Sequence, residues 1–326
     1  MQQWQDRVRR PETFIYLAVF VLLGTFFVLR IFGNSFSPNE LFLHYIKLNS
    51  ASLWGVVVFL IGVLSLWLVR RPVKDISSER TAQTAKDLLF AGIPIGIALY
   101  VLLLVLAQLN ALNKARLHDE LLFKMDTLFT DTFPALTFAS FSYPDWFVEV
   151  THLAFVYLWL VVFIFFIFVL QRDRKLFLEA AGVLSFALVL MLVVWLAFPA
   201  LSPHDRFIDN VYELPIPREV QVYIDAYAPH EEVVEFLTSM RTTKEGLTVF
   251  PTNTFPSVHV AGGVGLVYYA WRLRRWIGYV IMPLVIFSSF GAVLFAQHYF
   301  VDLVAGVLIS VVSIWFVRFF IKKENP

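Results

Sequence analysis

His298-Tyr299-Phe300-Val301-Asp302 opens an apolar run that continues to Phe320 with Arg318 as its only charge beyond Asp302. A stretch of about 20 apolar residues, coiled as a helix, is long enough to cross the hydrocarbon of a bilayer. A histidine and an aspartate at its mouth are costly there without a partner or a task. Their four-residue spacing puts both on one helix face. A second stretch, Phe255-Pro256-Ser257-Val258-His259, stands in the same way at the head of another apolar run.

Working outward, the chain holds further runs of this kind. Its 326 residues are 59% hydrophobic, 17% aromatic and only 16% charged, whereas soluble domains are about 45–50% apolar and about 25% charged. The fold class is therefore all-α, a polytopic helical membrane protein. About eight spans are expected, at 14–32, 52–69, 88–109, 146–170, 179–199, 257–271, 276–296 and 299–320. The first follows a basic stretch, but its length and the lack of a small-residue cleavage site mark a retained helix. The sixth is short and rich in glycine (Gly262, Gly263, Gly265), which permits close helix approach. There is no cysteine, so disulfides, thiolate metal sites and cysteine nucleophiles are excluded. The net charge of +1, with basic residues in short clusters between the runs, gives no sign of a nucleic-acid partner.

Alternate loops are basic: Arg7, Arg9 and Arg10; Arg70, Arg71, Lys74, Arg80 and Lys86; Arg172, Arg174 and Lys175; Arg272, Arg274 and Arg275; Arg318, Lys322 and Lys323. The excess of Lys and Arg marks this side as cytoplasmic. Both termini are then inside, and the loops with His204, His259 and His298 are outside, at a plasma or inner membrane. Two outer segments are long. In 110–145 an amphipathic helix is expected to lie along the interface; its exposed side accounts for Asp119 and Asp126, the alternative being that both face the site. The segment 200–256 is proline-rich and acidic, and 231–241 has the end charges of a short helix. Long ordered loops beside a site often act as lids or clamps.

The four polar residues of the two opening stretches point to phosphoryl chemistry on a lipid. Ser257 can cap the helix it precedes, and free amides at a helix N-terminus attract phosphate. His259, in the first turn, can protonate a departing alkoxide. Asp302 can take one ring proton of His298, which fixes the tautomer and leaves the other nitrogen as a nucleophile. The N-terminus of that helix is also expected to favour phosphate. The plainer readings are a capped helix start and a structural His–Asp pair. No third ligand stands at metal-binding spacing, so no metal is expected. A phosphate in transfer needs cations. Arg206, directly after a span and able to stay at the membrane surface, is the first candidate, ahead of Arg218, Arg241 and Lys244. His204 and Asp205 read as loop residues, and Tyr299 as an interfacial aromatic. A proton-coupled transporter would use the same His and Asp as a relay, but the span centres hold almost no ionisable residues. A non-catalytic scaffold would make both stretches dispensable.

Pro256-Ser257-x-His259 followed, one helix later, by His298-x-x-x-Asp302 resembles the second and third signature motifs of the type-2 phosphatidic acid phosphatase superfamily. The resemblance implies a six-helix core over 88–326, with long outer loops at 110–145 and 200–256 and two accessory helices in 1–87. It also implies a reaction without metal or other cofactor. His298 would form a phosphohistidine, oriented by Asp302. His259 would be the acid for the leaving group, and Ser257 would hold the phosphate. The usual first motif, a lysine and an Arg-Pro, is missing from the outer face, since Arg71-Pro72 lies on the other side. Ala292 stands where the third motif carries an arginine. The stretches Phe198–Arg206 and His118–Asp126 are instead similar to the branch containing inositol phosphorylceramide synthases. Those enzymes move a phosphorylated head group from a membrane phospholipid onto a lipid alcohol. Hydrolysis of a lipid phosphate or isoprenyl pyrophosphate is the alternative use of the same residues.

Overall fold

The computed structural model describes residues 11–32, 117–227 and 254–322. These form helices α1 (Pro11–Phe32), α2 (Asp119–Thr130), α3 (Pro134–Thr137), α4 (Asp145–Arg172), α5 (Arg174–Ala197), α6 (Arg218–Asp225), α7 (Val258–Leu273), α8 (Arg275–Leu294) and α9 (Phe300–Lys322). A 3-10 turn (Phe138–Ser140) follows α3, and a single π turn (His204–Ile208) lies between α5 and α6. There is no strand among the described residues. Four helices, α4, α5, α8 and α9, are long and apolar enough to cross a membrane.

Six of the eight expected runs coincide with α1, α4, α5, α7, α8 and α9. The runs at 52–69 and 88–109 lie outside the described residues, and with them the expected border between accessory helices and core. Helix α5 starts at Arg174, ahead of the expected 179, because its start is set by a cap and not by hydropathy. Asp173 accepts the Leu176 amide at 3.0 Å, so the charged first turn of Arg174 and Lys175 belongs to the helix. Helix α2 ends where Asp131 turns left-handed, at φ 57°.

Helix α7 packs against α4, α5, α8 and α9, and Leu266, Tyr269 and Ala270 contribute its face to the largest core cluster. Small residues permit the crossings. A Cβ on Gly306 of α9 would lie 2.6 Å from the Ser257 carbonyl, and one on Gly291 of α8 would lie 3.1 Å from that of Thr151. Helix α1 is not peripheral: Ile15, Ala18 and Leu22, on one face, are wholly buried. Leu22 joins Leu188, Met191, Leu192 and Trp195 of α5.

The two ends of the bundle differ. At one, Glu179 of α5 accepts from Arg272 and from the Tyr269 hydroxyl (3.3 Å), with Arg318 Nε at 3.4 Å. At the other, the starts of α7 and α9 meet the 198–208 loop beneath α2 and α3. Leu122, Phe123, Phe133, Leu136, Phe207 and Tyr299 form a second core there.

Candidate active site

The site is built from two helix starts joined back to back. Ser257 sits in extended conformation before α7, and its Oγ accepts the Val260 amide at 3.4 Å. Its own N–H donates to the Asp302 carbonyl at 3.1 Å, which ties the start of α7 to the first turn of α9. Between α8 and α9 the chain reverses through Ala296, at φ 51°. The Gln297 and His298 amides both donate to the Ala292 carbonyl, at 3.0 and 2.9 Å. Thus Ala292, at the position where the resembled third motif carries an arginine, serves the turn through its backbone.

This frame brings together the four residues singled out in the sequence. His298 Nδ1 lies 3.2 Å from Asp302 Oδ2, and Nε2 lies 3.4 Å from Ser257 Oγ. Asp302 Oδ2 also accepts the Tyr299 amide at 3.0 Å, so the carboxylate is braced by its own helix start. A carboxylate at Nδ1 places the ring proton there and leaves the Nε2 lone pair open. Burial pushes the His298 ring down to about 4, against a smaller opposite pull from the Thr254 carbonyl. The ring is therefore neutral near pH 7, the state a nitrogen nucleophile needs. The His259 ring is 6.1 Å from that of His298, centre to centre. It lies flat on Phe155 at 4.7 Å with Trp159 edge-on, and its Nδ1 has no hydrogen-bond partner among the described residues. Ser257 and Asp302 are fully buried and His298 is 6% exposed.

The 198–208 loop docks on this frame through its backbone. The His204 amide donates to the Ala296 carbonyl at 2.9 Å, and the Thr254 amide to that of Ala200 at 3.1 Å. Thr254 Oγ1 donates to the Leu201 carbonyl at 2.9 Å. The π turn rolls His204, Asp205 and Arg206 inward, and all three are buried. They stay in the loop between α5 and α6, as expected, but are packed inside the protein and not solvated. Arg206 Nη2 donates to the Pro215 carbonyl at 2.7 Å, its guanidinium covers the Phe207 ring at 5.0 Å, and Nη1 has no hydrogen-bond partner among the described residues. His204, Asp205 and Asp209 each bring one possible metal-ligating atom within 4.8 Å of the others, a cluster that ligand spacing in the sequence did not reveal. Arg218 stands exposed in the first turn of α6. Arg241, Lys244 and the expected helix at 231–241 lie outside the described residues.

Helix α2 departs most from expectation. Asp119 and Asp126 are buried with Leu122 and Phe123, while Leu128 and Phe129 face out. Asp126 Oδ2 accepts the Phe300 amide at 2.9 Å and Oδ1 the Val301 amide at 2.8 Å. The N-terminus of α9, expected to draw phosphate, is therefore already occupied. Asp119 Oδ1 accepts from the Leu201 amide at 2.8 Å and from the Tyr299 hydroxyl at 3.1 Å. Tyr299 is accordingly a fully buried core residue, not an interfacial aromatic. Burial pushes both carboxyls up to about 7, against the pull of these bonds and, at Asp119, of the Arg206 charge. The available signal was spacing. Residues 119, 122, 123 and 126 share one helix face, so the acids belong with Leu122 and Phe123.

Fold and site define a helical membrane protein whose polar centre is a His–Asp couple facing a serine-capped helix with a second histidine. The model described as the PAP2 superfamily matches residues 121–316. The chain belongs to that superfamily, whose chemistry is that of phosphatases and phosphotransferases, with lipid phosphates as the indicated substrates. No curated protein and no solved structure matches it.

Proposed function

We propose that the chain is an integral-membrane lipid phosphotransferase that works through a phosphohistidine at His298. It would move a phosphorylated head group from a phospholipid to a lipid alcohol, as inositol phosphorylceramide synthases do. The observation that carries this reading is the relay Asp302 Oδ2–His298–Ser257 Oγ, at 3.2 and 3.4 Å.

In the first half-reaction Nε2 of His298 attacks phosphorus and the bond to the departing lipid alkoxide breaks. Asp302 stabilises the positive charge on the ring. His259, which takes up a proton when the anionic phosphate enters beside it, gives that proton to the alkoxide. Ser257, the free amides at the start of α7 and Arg206, with Arg218 in support, hold the phosphate oxygens. In the second half the acceptor hydroxyl passes its proton to His259 and attacks phosphorus. The N–P bond breaks, and His298 and His259 return to their initial states. The burial of Ser257, His298 and Asp302 supports transfer, because a transferase must keep water from the intermediate. With water as acceptor, the same atoms give a lipid phosphate or isoprenyl pyrophosphate phosphatase. The basic end with Arg272 and Arg318 is opposite His298, which supports a site on the extracytoplasmic side with both termini inside.

The test offers purified protein phosphatidic acid, an isoprenyl pyrophosphate or phosphatidylinositol, each with and without ceramide or diacylglycerol. A new acceptor-dependent phospholipid with little free phosphate is expected, lost in His298→Ala. Free phosphate whatever the acceptor would make the protein a phosphatase. Full turnover in both His298→Ala and His259→Ala would overturn either use of the site.

A further inference from the structure

We infer that α2 is a clamp that holds the His298 turn in register with the Arg206 loop, and that Asp126 and Asp119 are its positioning residues. The inference rests on the phosphohistidine reading above. Neither residue touches the reacting atoms; each acts on the backbone that carries them.

The start of a helix presents free N–H groups and a partial positive charge. In α9 these groups stand directly beside the nucleophile. An unclaimed terminus there would draw a phosphate toward the Phe300 and Val301 amides, away from the line of His298 Nε2. Asp126 takes both amides, one with each oxygen, and Asp302 takes the Tyr299 amide. Three successive donors are thereby removed from the competition. Among the described residues no side chain takes the Val258 and His259 amides at the start of α7. The phosphate is thus left with the α7 terminus, on the Nε2 side of the ring.

Asp119 supplies the second link. One oxygen receives both the Leu201 amide and the Tyr299 hydroxyl. Leu201 belongs to the loop that leads to Arg206, and Tyr299 is the neighbour of His298. A single rigid helix therefore sets the spacing between the cation and the nucleophile. A serine or aspartate next to α9 would cap it without burying a distant carboxylate. The buried pair, with both carboxyls pushed up to about 7, is a costly way to cap one helix. It makes sense as a way to align two elements. The groups facing Asp126 are Asp302 and Tyr299, and those facing Asp119 are Arg206 and Tyr299.

The test compares wild type with Asp126→Asn, which keeps the shape but turns an N–H donor toward an amide. The probes are phosphatidylinositol and phosphatidic acid, each labelled in its phosphate, and the readouts are the rate of phosphoenzyme formation, KM and the melting temperature in detergent. A fall of about 10–100-fold in the rate is expected, the scale of a misplacement of about 1 Å, with KM and melting little changed. Hydrogen exchange at Phe300 and Val301 should quicken, and Asp126→Glu should restore part of the rate. If the Asn variant fails to fold, Tyr299→Phe removes only the hydroxyl on Asp119. It should cost about fivefold in rate, the worth of one hydrogen bond of about 1 kcal/mol. An undiminished rate in folded Asp126→Asn overturns the inference, as does a loss in which rate, KM and melting collapse together. Absence of phosphoenzyme from the wild type is a separate result and overturns the phosphohistidine reading instead.

Discussion

Asp302 works on His298 from two directions at once. Its Oδ2 receives both the imidazole Nδ1 and the Tyr299 amide, so the carboxylate cannot swing away without uncapping its own helix. The proposed nucleophile is thus aligned by an acid that is itself immobilised. Asp302→Asn can still accept from the Tyr299 amide through its remaining oxygen, but it no longer dictates which ring nitrogen carries the proton. The expected result is a fall in kcat of about 10²–10⁴, the scale of wrong-tautomer losses in other His–Asp couples, with KM and folding near wild type. Steady-state kinetics beside a melting curve would check this. A loss under threefold would leave Asp302 a structural residue only.

At the scale of elements, the site depends on how closely α9 approaches the start of α7. Gly306 is the point of contact. Its missing Cβ would stand 2.6 Å from the Ser257 carbonyl and 3.2 Å from Val260 Cβ. The first is backbone, held by the Ser257–Asp302 hydrogen bond on one side and by the α7 helix on the other. Gly306→Ala must therefore push the helices apart, which draws Ser257 from His298. Overpacking of this kind costs about 1–3 kcal/mol, and more than tenfold lower activity should accompany it. Gly265→Ala is the control. Its Cβ would meet only Ser310 Oγ at 3.7 Å, an ordinary contact, so activity and melting should hold. Equal damage in both variants would show a general intolerance of α7, not a crossing that shapes the site.

For the whole molecule, the polar layer under α2 ties stability to pH. Asp119 and Asp126 have folded values near 7, raised chiefly by burial from the ordinary carboxylate value of 3.8. A carboxyl that holds its proton more tightly when folded contributes stability that is fully present below its unfolded value. That contribution is lost as pH rises through the folded value. The loss should therefore fall between about pH 4 and pH 7. His298, lowered to about 4, acts in the opposite sense. It favours the fold above its unfolded value and withdraws that support as pH falls from about 6.5 to 4. The prediction is consequently a difference. Across pH 5 to 8 the melting temperature of the wild type should decline relative to that of the Asp119→Asn, Asp126→Asn double variant. Parallel curves would mean that the two carboxyls are not held as their burial indicates.

The sequence by itself determined the membrane class, the helices at six of the expected runs, and the four residues at the meeting of α7 and α9. Each of these is local. Hydropathy over about 20 residues identifies a span, a four-residue spacing joins His298 to Asp302, and a serine after proline caps the next helix. Only the tertiary structure decided which face of α2 is inside, where Tyr299 points, and that Arg206 is buried. The partners of Asp126 lie 174 and 175 residues away, and those of Asp119 82 and 180 residues away. Periodicity tells that Asp119 and Asp126 share a face with Leu122 and Phe123. It cannot tell whether a carboxylate on that face meets water or the free amides of another helix. The sequence marks where a helix starts, but not which distant carboxylate will meet its free amides, so the partner is invisible until the chain is folded.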